Sequence, residues 1–185
     1  MSAPLRIVLF GPESTGKSTL AAALAVRYGA PCSPEYVREY WDTHDGIITA
    51  ADLDAIGRGQ VAGEEKAIGT AAVTGSRMVF HDTDLLTCLL WNDLLFPGAC
   101  PPWVRANAER RAREVDLYLY CDTDMPSAPD PQRCFPDPEG RARCRTLWRE
   151  SLVRLGVHWV EVSGDWAQRE ARAAAAVDAL LQLLE

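Results

Sequence analysis

Lysine is almost missing from this sequence. Of its 19 basic residues 17 are arginine, and only Lys17 and Lys66 are lysine. Histidine is scarce too: His44, His81 and His158 are all there are, and they cannot form an H-x-G-H motif. Acidic groups outnumber basic ones 26 to 19, a formal net charge of −7. Nucleic acid, which recruits an excess of Lys and Arg, is therefore not the expected partner. No apolar run approaches the ~18 residues of a membrane span, so no membrane association is expected. The six cysteines lack any C-x-x-C pair or zinc spacing. The chain also opens without a secretory leader pattern, so the expectation is reduced thiols in a cytoplasmic protein, with a Cys134–Cys144 redox pair as the alternative.

What is present is ordinary for a globular domain: 185 residues, 48% hydrophobic and 24% charged, which excludes disordered, collagenous and disulfide-scaffold chains. The length predicts a single domain spanning 1–185. Arg6 to Phe10 reads as a buried strand that ends at Gly11. Ser18 to Tyr28 reads as a helix closed by Gly29 and Pro31, with a short strand expected near Pro31 to Ser33. Val37, Tyr40 and Trp41 fall at helical spacing, and Thr49-x-x-Asp52 is a capping box opening a helix toward Ala72. Strands at 78–82, 115–121 and 158–162 then alternate with helices at 85–95, 105–114, 139–155 and 165–184. This alternation predicts an α/β fold, a parallel sheet of about five strands sandwiched by helices. Five of the twelve prolines crowd into 122–138, so 122–145 is read as a mobile Pro/Arg-rich lid inserted in that frame.

The chemistry starts at Gly11-Pro-Glu13-Ser14-Thr15-Gly16-Lys17-Ser18-Thr19, which fits G-x-x-x-x-G-K-[ST] between a strand and a helix. In that arrangement glycines let the backbone wrap phosphates and the helix N-terminus attracts the anion. Lys17 reaches the β- and γ-phosphates of ATP, and Ser18 ligates Mg²⁺. His81-Asp82-Thr83-Asp84 ends a strand; Asp82 is the candidate second holder of Mg²⁺, while Asp84 either serves the acceptor or caps the next helix. Glu35 in Pro34-Glu35-Tyr36-Val37-Arg38 is the first candidate for base, Asp84 the second, and Tyr36 and Arg38 are candidate substrate contacts. An exposed helix start favouring Glu is the competing reading of Glu35. Arg133, Arg141, Arg143 and Arg145 lie in the lid, where arginines neutralise transferred charge while closure excludes water. Gly164, after the last strand, is a candidate adenine contact, and Asp165 a helix cap. Among six tryptophans, Trp41 and Trp91 stand nearest the strand ends that form an acceptor site.

Together these segments resemble the ribosylnicotinamide kinase domain of NadR-type proteins. The resemblance runs through Gly11 to Thr19, Pro34 to Tyr40, Asp82-Thr83-Asp84 and Asp116-Leu-Tyr-Leu. It continues through Asp124-Met-Pro-x-x-x-Asp130-Pro-x-Arg133 and Ser163-Gly-Asp-x-x-x-Arg169, in order over nearly the whole chain. It implies a P-loop, nucleoside-kinase-like fold and ATP- and Mg²⁺-dependent phosphorylation of the 5′-hydroxyl of nicotinamide riboside. Arg133 becomes the lid arginine expected on phosphate. The competing readings are a kinase for another nucleoside or small alcohol, and a nucleotide-dependent regulatory ATPase. Without H-x-G-H, a kinase lacking adenylyltransferase activity is expected.

Overall fold

The computed structural model describes residues 3–125 and 134–183. Its centre is a five-stranded, wholly parallel sheet in the order β2-β3-β1-β4-β5. The strands are β1 (Leu5–Phe10), β2 (Cys32–Ser33), β3 (Met78–Asp82), β4 (Leu117–Cys121) and β5 (Trp159–Val162). The helices are α1 (Lys17–Tyr28), α2 (Tyr36–Thr43), α3 (Leu53–Thr74), α4 (Leu85–Leu95), α5 (Pro102–Ala112), α6 (Pro138–Leu155) and α7 (Trp166–Gln182).

β1 is apolar on both faces because both are covered. Ile7 and Leu9 point into a core with Leu20 and Leu24 of α1, Phe80, Leu119 and Val177 of α7. Val8 and Phe10 point the other way, onto Leu86 and Leu89 of α4, Val104 of α5 and Trp148 of α6. α3 covers Val79 through Ala67 and Ala71. The register pairs Leu9 with Asp82 and Phe10 with Tyr120, so the ends of the three central strands open on one edge. In open α/β sheets, ligands bind outside these carboxyl ends.

Several boundaries shift from the sequence reading, two of them at positions with a plain local reason. The Thr49–Asp52 capping box is present, yet it opens a 3₁₀ turn, Ala50–Asp52, that runs on into α3. α5 starts at Pro102, three residues before the expected Arg105. Proline suits that first helical position because the N–H it lacks has no helical partner there. None of the helices among the described residues is long and apolar enough to cross a membrane.

Candidate active site

β1 hands the chain directly to the phosphate loop. Gly11 has φ +149°, and a Cβ there would stand 2.5 Å from the Cys121 carbonyl oxygen, so only glycine lets the loop pass the end of β4. Ser14 and Gly16 also take positive φ, which coils the loop before α1 begins at Lys17. The Lys17 ammonium is buried and donates to the Pro12 carbonyl at 2.7 Å; the Thr15 hydroxyl donates to the same oxygen at 3.0 Å. No side chain caps the first turn of α1. Its leading N–H groups therefore suit an anion.

Asp82 closes β3 beside this loop. Burial pushes its carboxyl above the ordinary carboxylate range, the Glu35 charge adds to that, and Lys17 and the Ser18 hydroxyl bonded to it oppose. Asp82 Oδ1 is buried without a hydrogen-bond partner. An orphaned carboxylate oxygen next to a hydroxyl fits a hard cation that keeps waters and phosphate oxygens as its remaining ligands, as Mg²⁺ does. The described residues contain no cluster of three or more His, Cys, Asp or Glu that would make an all-protein cage.

Beyond the phosphate loop lies a cavity of about 360 Å³ between α2, α3 and α4. Lys17 and Glu35 stand in its wall together with both Trp41 and Trp91. Arg38 bonds to Glu35 Oε2 at 3.0 Å. Trp91 sits edge-on to the buried Trp148 ring at 4.6 Å and parallel to Phe135 at 6.2 Å, which fixes its plane.

Two expected substrate contacts face elsewhere. Asp84 Oδ1 accepts the Thr87 N–H at 3.1 Å, capping α4, and Oδ2 accepts the Tyr118 hydroxyl at 2.6 Å. With both oxygens engaged, Asp84 is not in the cavity wall. The Tyr36 ring is not there either: it packs on the backbone of Gly59, where a Cβ would be 2.0 Å from the ring. What Tyr36 supplies is its main-chain N–H, bonded to Gln60 Oε1 at 3.1 Å. Gln60 is buried, and its amide also donates to the Thr83 carbonyl at 3.4 Å. It thus bridges the residue after Glu35 to the residue after Asp82. No feature of the sequence singles it out, because these two partners come from other elements.

Residues 126–133 lie outside the described residues, and with them Arg133 and part of the expected lid. At the far end of that segment Glu13 accepts the N–H of Cys134 at 3.0 Å and of Phe135 at 2.7 Å. Arg145 grips Asp122 through two bonds, 2.5 and 2.7 Å, and holds that carboxyl below its usual range against the burial that raises it. Arg141 donates to the Thr123 and Met125 carbonyls; Arg143 is exposed. Asp165 caps α7 in a full capping box with Gln168. Gly164 receives an Asp124 carboxylate oxygen on its N–H at 2.5 Å. Arg169, 1% exposed, donates to the carbonyls of Gly164, Thr15 and Asp122 at 2.9, 3.0 and 2.9 Å, and to Asp124. This tie between the phosphate loop and the β5–α7 loop was visible in sequence only as the last residue of Ser163-Gly-Asp-x-x-x-Arg169.

The family described as AAA domain matches residues 6–169 of the chain. The chain is 26% identical over 160 residues to the trifunctional NAD biosynthesis/regulator protein NadR of Escherichia coli (strain K12), an alignment covering 84% of this chain and 37% of that protein. It therefore spans well under half the length of this curated relative. A crystal structure of NadR protein in complex with NR matches with a TM-score of 0.72 and 23% identity, over 96% of this chain and 51% of that one. A thymidylate kinase from Ehrlichia chaffeensis matches with a TM-score of 0.65 and 13% identity, over 96% and 99% of the two chains. At these identities the two solved structures establish a shared fold.

Proposed function

The chain belongs to the AAA domain family of P-loop proteins, and from that premise we propose that it is a kinase transferring the γ-phosphoryl group of ATP to the 5′-hydroxyl of nicotinamide riboside. One observation carries the reading: a single cavity joins Lys17 of the phosphate loop to a largely buried carboxylate, Glu35, and to two tryptophans. A switch ATPase has no use for an acceptor chamber beside its phosphate loop. The pyridinium ring of nicotinamide riboside is a flat cation. Indole faces attract such cations, and the Glu13 and Glu35 carboxylates in the same wall reinforce that choice. NR is also the ligand of the NadR structure that shares this fold.

In this mechanism Lys17 leaves the Pro12 carbonyl for the β- and γ-phosphates and neutralises charge on the group in transit. Ser18 and Asp82 would hold Mg²⁺, which would supply positive charge to neutralise the charge that develops on the transferred group. Glu35 orients the 5′-hydroxyl and takes its proton. Arg38 keeps Glu35 in place, and Gln60 fixes the start of α2 behind it. Asp84 acts through α4, as its cap.

ADP release measured with ATP, Mg²⁺ and a panel of nucleosides tests this reading. Release that depends on nicotinamide riboside is expected. Release with another nucleoside alone reassigns the acceptor, and release independent of any acceptor overturns the kinase.

A further inference from the structure

Between α2 and the Thr49–Asp52 capping box the chain turns sharply at Asp45-Gly46. Asp45 has φ +53° and Gly46 φ +72°, and the Ile47 N–H donates to the His44 carbonyl at 3.0 Å. Two left-handed residues under such a bond are the pattern of a type I′ turn, for which Asp-Gly is a favoured pair. The turn folds back on the end of α2, because the Gly46 N–H donates to the Trp41 carbonyl at 3.0 Å.

Gly46 thereby lies against the Trp41 side chain. A Cβ on Gly46 would stand 3.3 Å from each of Nε1, Cε2 and Cζ2 of the indole, tight enough that one side must yield by a few tenths of an ångström. Backbone shape alone would admit aspartate or asparagine, as Asp45 next door shows. The indole makes the second demand, which only a residue without a side chain meets.

Of the two partners the turn is the better held. His44 stacks on the buried Tyr40 ring at 3.8 Å, and its Nδ1 lies 2.8 Å from the Tyr40 carbonyl. The Tyr40 hydroxyl donates to Asp52 Oδ1 at 2.7 Å, which ties α2 to the segment after the turn. Trp41 is half-buried and borders the cavity, so open space lies on the side toward which a methyl would push it. Ile48, two residues past Gly46, lines the same wall.

We propose that Gly46 is a positioning residue for the acceptor site. By carrying no side chain it seats the Trp41 indole against the turn, clear of the space that the acceptor's ring takes, and so sets affinity for the acceptor and not for ATP. This rests on the nucleoside-kinase reading above, in which Trp41 meets that ring.

Gly75 supplies the control. It has the same φ, +72°, at the end of α3, but a Cβ there meets nothing within 4 Å. It precedes β3, at the end of the sheet away from the phosphate loop.

The test compares Gly46→Ala with Gly75→Ala. Affinities for nicotinamide riboside and for ATP are read separately by titration calorimetry. The indole N–H of Trp41 is followed by ¹⁵N NMR and assigned by its loss in Trp41→Phe. Both alanine variants should melt a few degrees lower, since an alanine at φ +72° is strained in either place. Gly46→Ala alone should shift the Trp41 signal and weaken nicotinamide riboside about tenfold, with ATP within about twofold. In a Trp41→Phe background the same change should cost less than about twofold. Unchanged nicotinamide riboside affinity in Gly46→Ala, equal weakening in Gly75→Ala, or an unmoved Trp41 signal overturns the proposal. A wild type that binds a different nucleoside reassigns the acceptor of the reading above, and the same comparison with that nucleoside decides Gly46. A wild type that binds ATP and no nucleoside removes the reading and the inference together.

Discussion

The carboxylate of Glu13 accepts the backbone N–H of Phe135 at 2.7 Å, so a phosphate-loop side chain holds the end of the Pro/Arg segment. Phe135 lies parallel to Trp91, and Trp91 is cavity wall. The Glu13 side chain is thereby engaged by this segment through two backbone N–H groups. Glu13→Ala should raise KM for the nucleoside about tenfold, as loss of two hydrogen bonds to a charged acceptor implies, and leave KM for ATP within about twofold. Steady-state titration of each substrate at saturation of the other separates the two. A change confined to ATP would return Glu13 to the nucleotide.

Lys17→Ala should keep a native melting temperature and lower kcat at least ~100-fold, the scale of one lost electrostatic stabiliser. The three carboxylates should part company. Asp82→Asn should raise the Mg²⁺ concentration needed for half-maximal rate, whereas Glu35→Gln should lower turnover even at saturating Mg²⁺. Asp84→Ala should cost ~2 kcal/mol or more of stability, from the lost α4 cap and the stranded Tyr118 hydroxyl, with the Mg²⁺ requirement unchanged. Full turnover in Glu35→Gln would transfer the base to another group.

Removing the guanidinium of Arg169 should be among the most damaging single changes. Arg169→Met fills similar space but leaves the carbonyls of Thr15, Asp122 and Gly164 without their donor. Each stranded carbonyl costs of the order of 1 kcal/mol or more, so a loss of ~3 kcal/mol or more is expected in urea denaturation. Arg169→Lys should recover only part of this, since one ammonium cannot reproduce the spread of the fork.

Glu64, in the interior behind the cavity, should give stability a pH signature. Burial pushes its carboxyl up from 4.5 to about 7, the nearby Asp84 adds to this, and the bonds from Arg111 and Gln60 oppose. The folded protein therefore holds this proton more tightly than the unfolded chain. The stability Glu64 contributes is complete below about 4.5 and is lost as pH rises through about 7. Compared with Glu64→Gln, the wild-type melting temperature should fall progressively between about pH 5 and about pH 8. Parallel curves for the two proteins would show that Glu64 is ionised throughout.

Wherever the reason is local, the sequence by itself determined the outcome. The apolar run into Gly11, the glycines of the phosphate loop and the helix after it can be read from neighbours in the chain. So can Lys17, Asp82 at a strand end, and the five alternating strand–helix units. Their placement follows from backbone sterics and periodicity, which need no distant partner. Only tertiary structure decided the rest. Asp84 has its second oxygen engaged because Tyr118, 34 positions away, donates to it. Tyr36 packs outside the cavity because α3 offers the bare backbone of Gly59. Gln60 and Arg169 matter through bonds to loops up to 154 positions away in sequence. A side chain's direction is set by which donors and which open space the fold brings to it, and those arrive from elements that the spacing of residues along the chain does not relate.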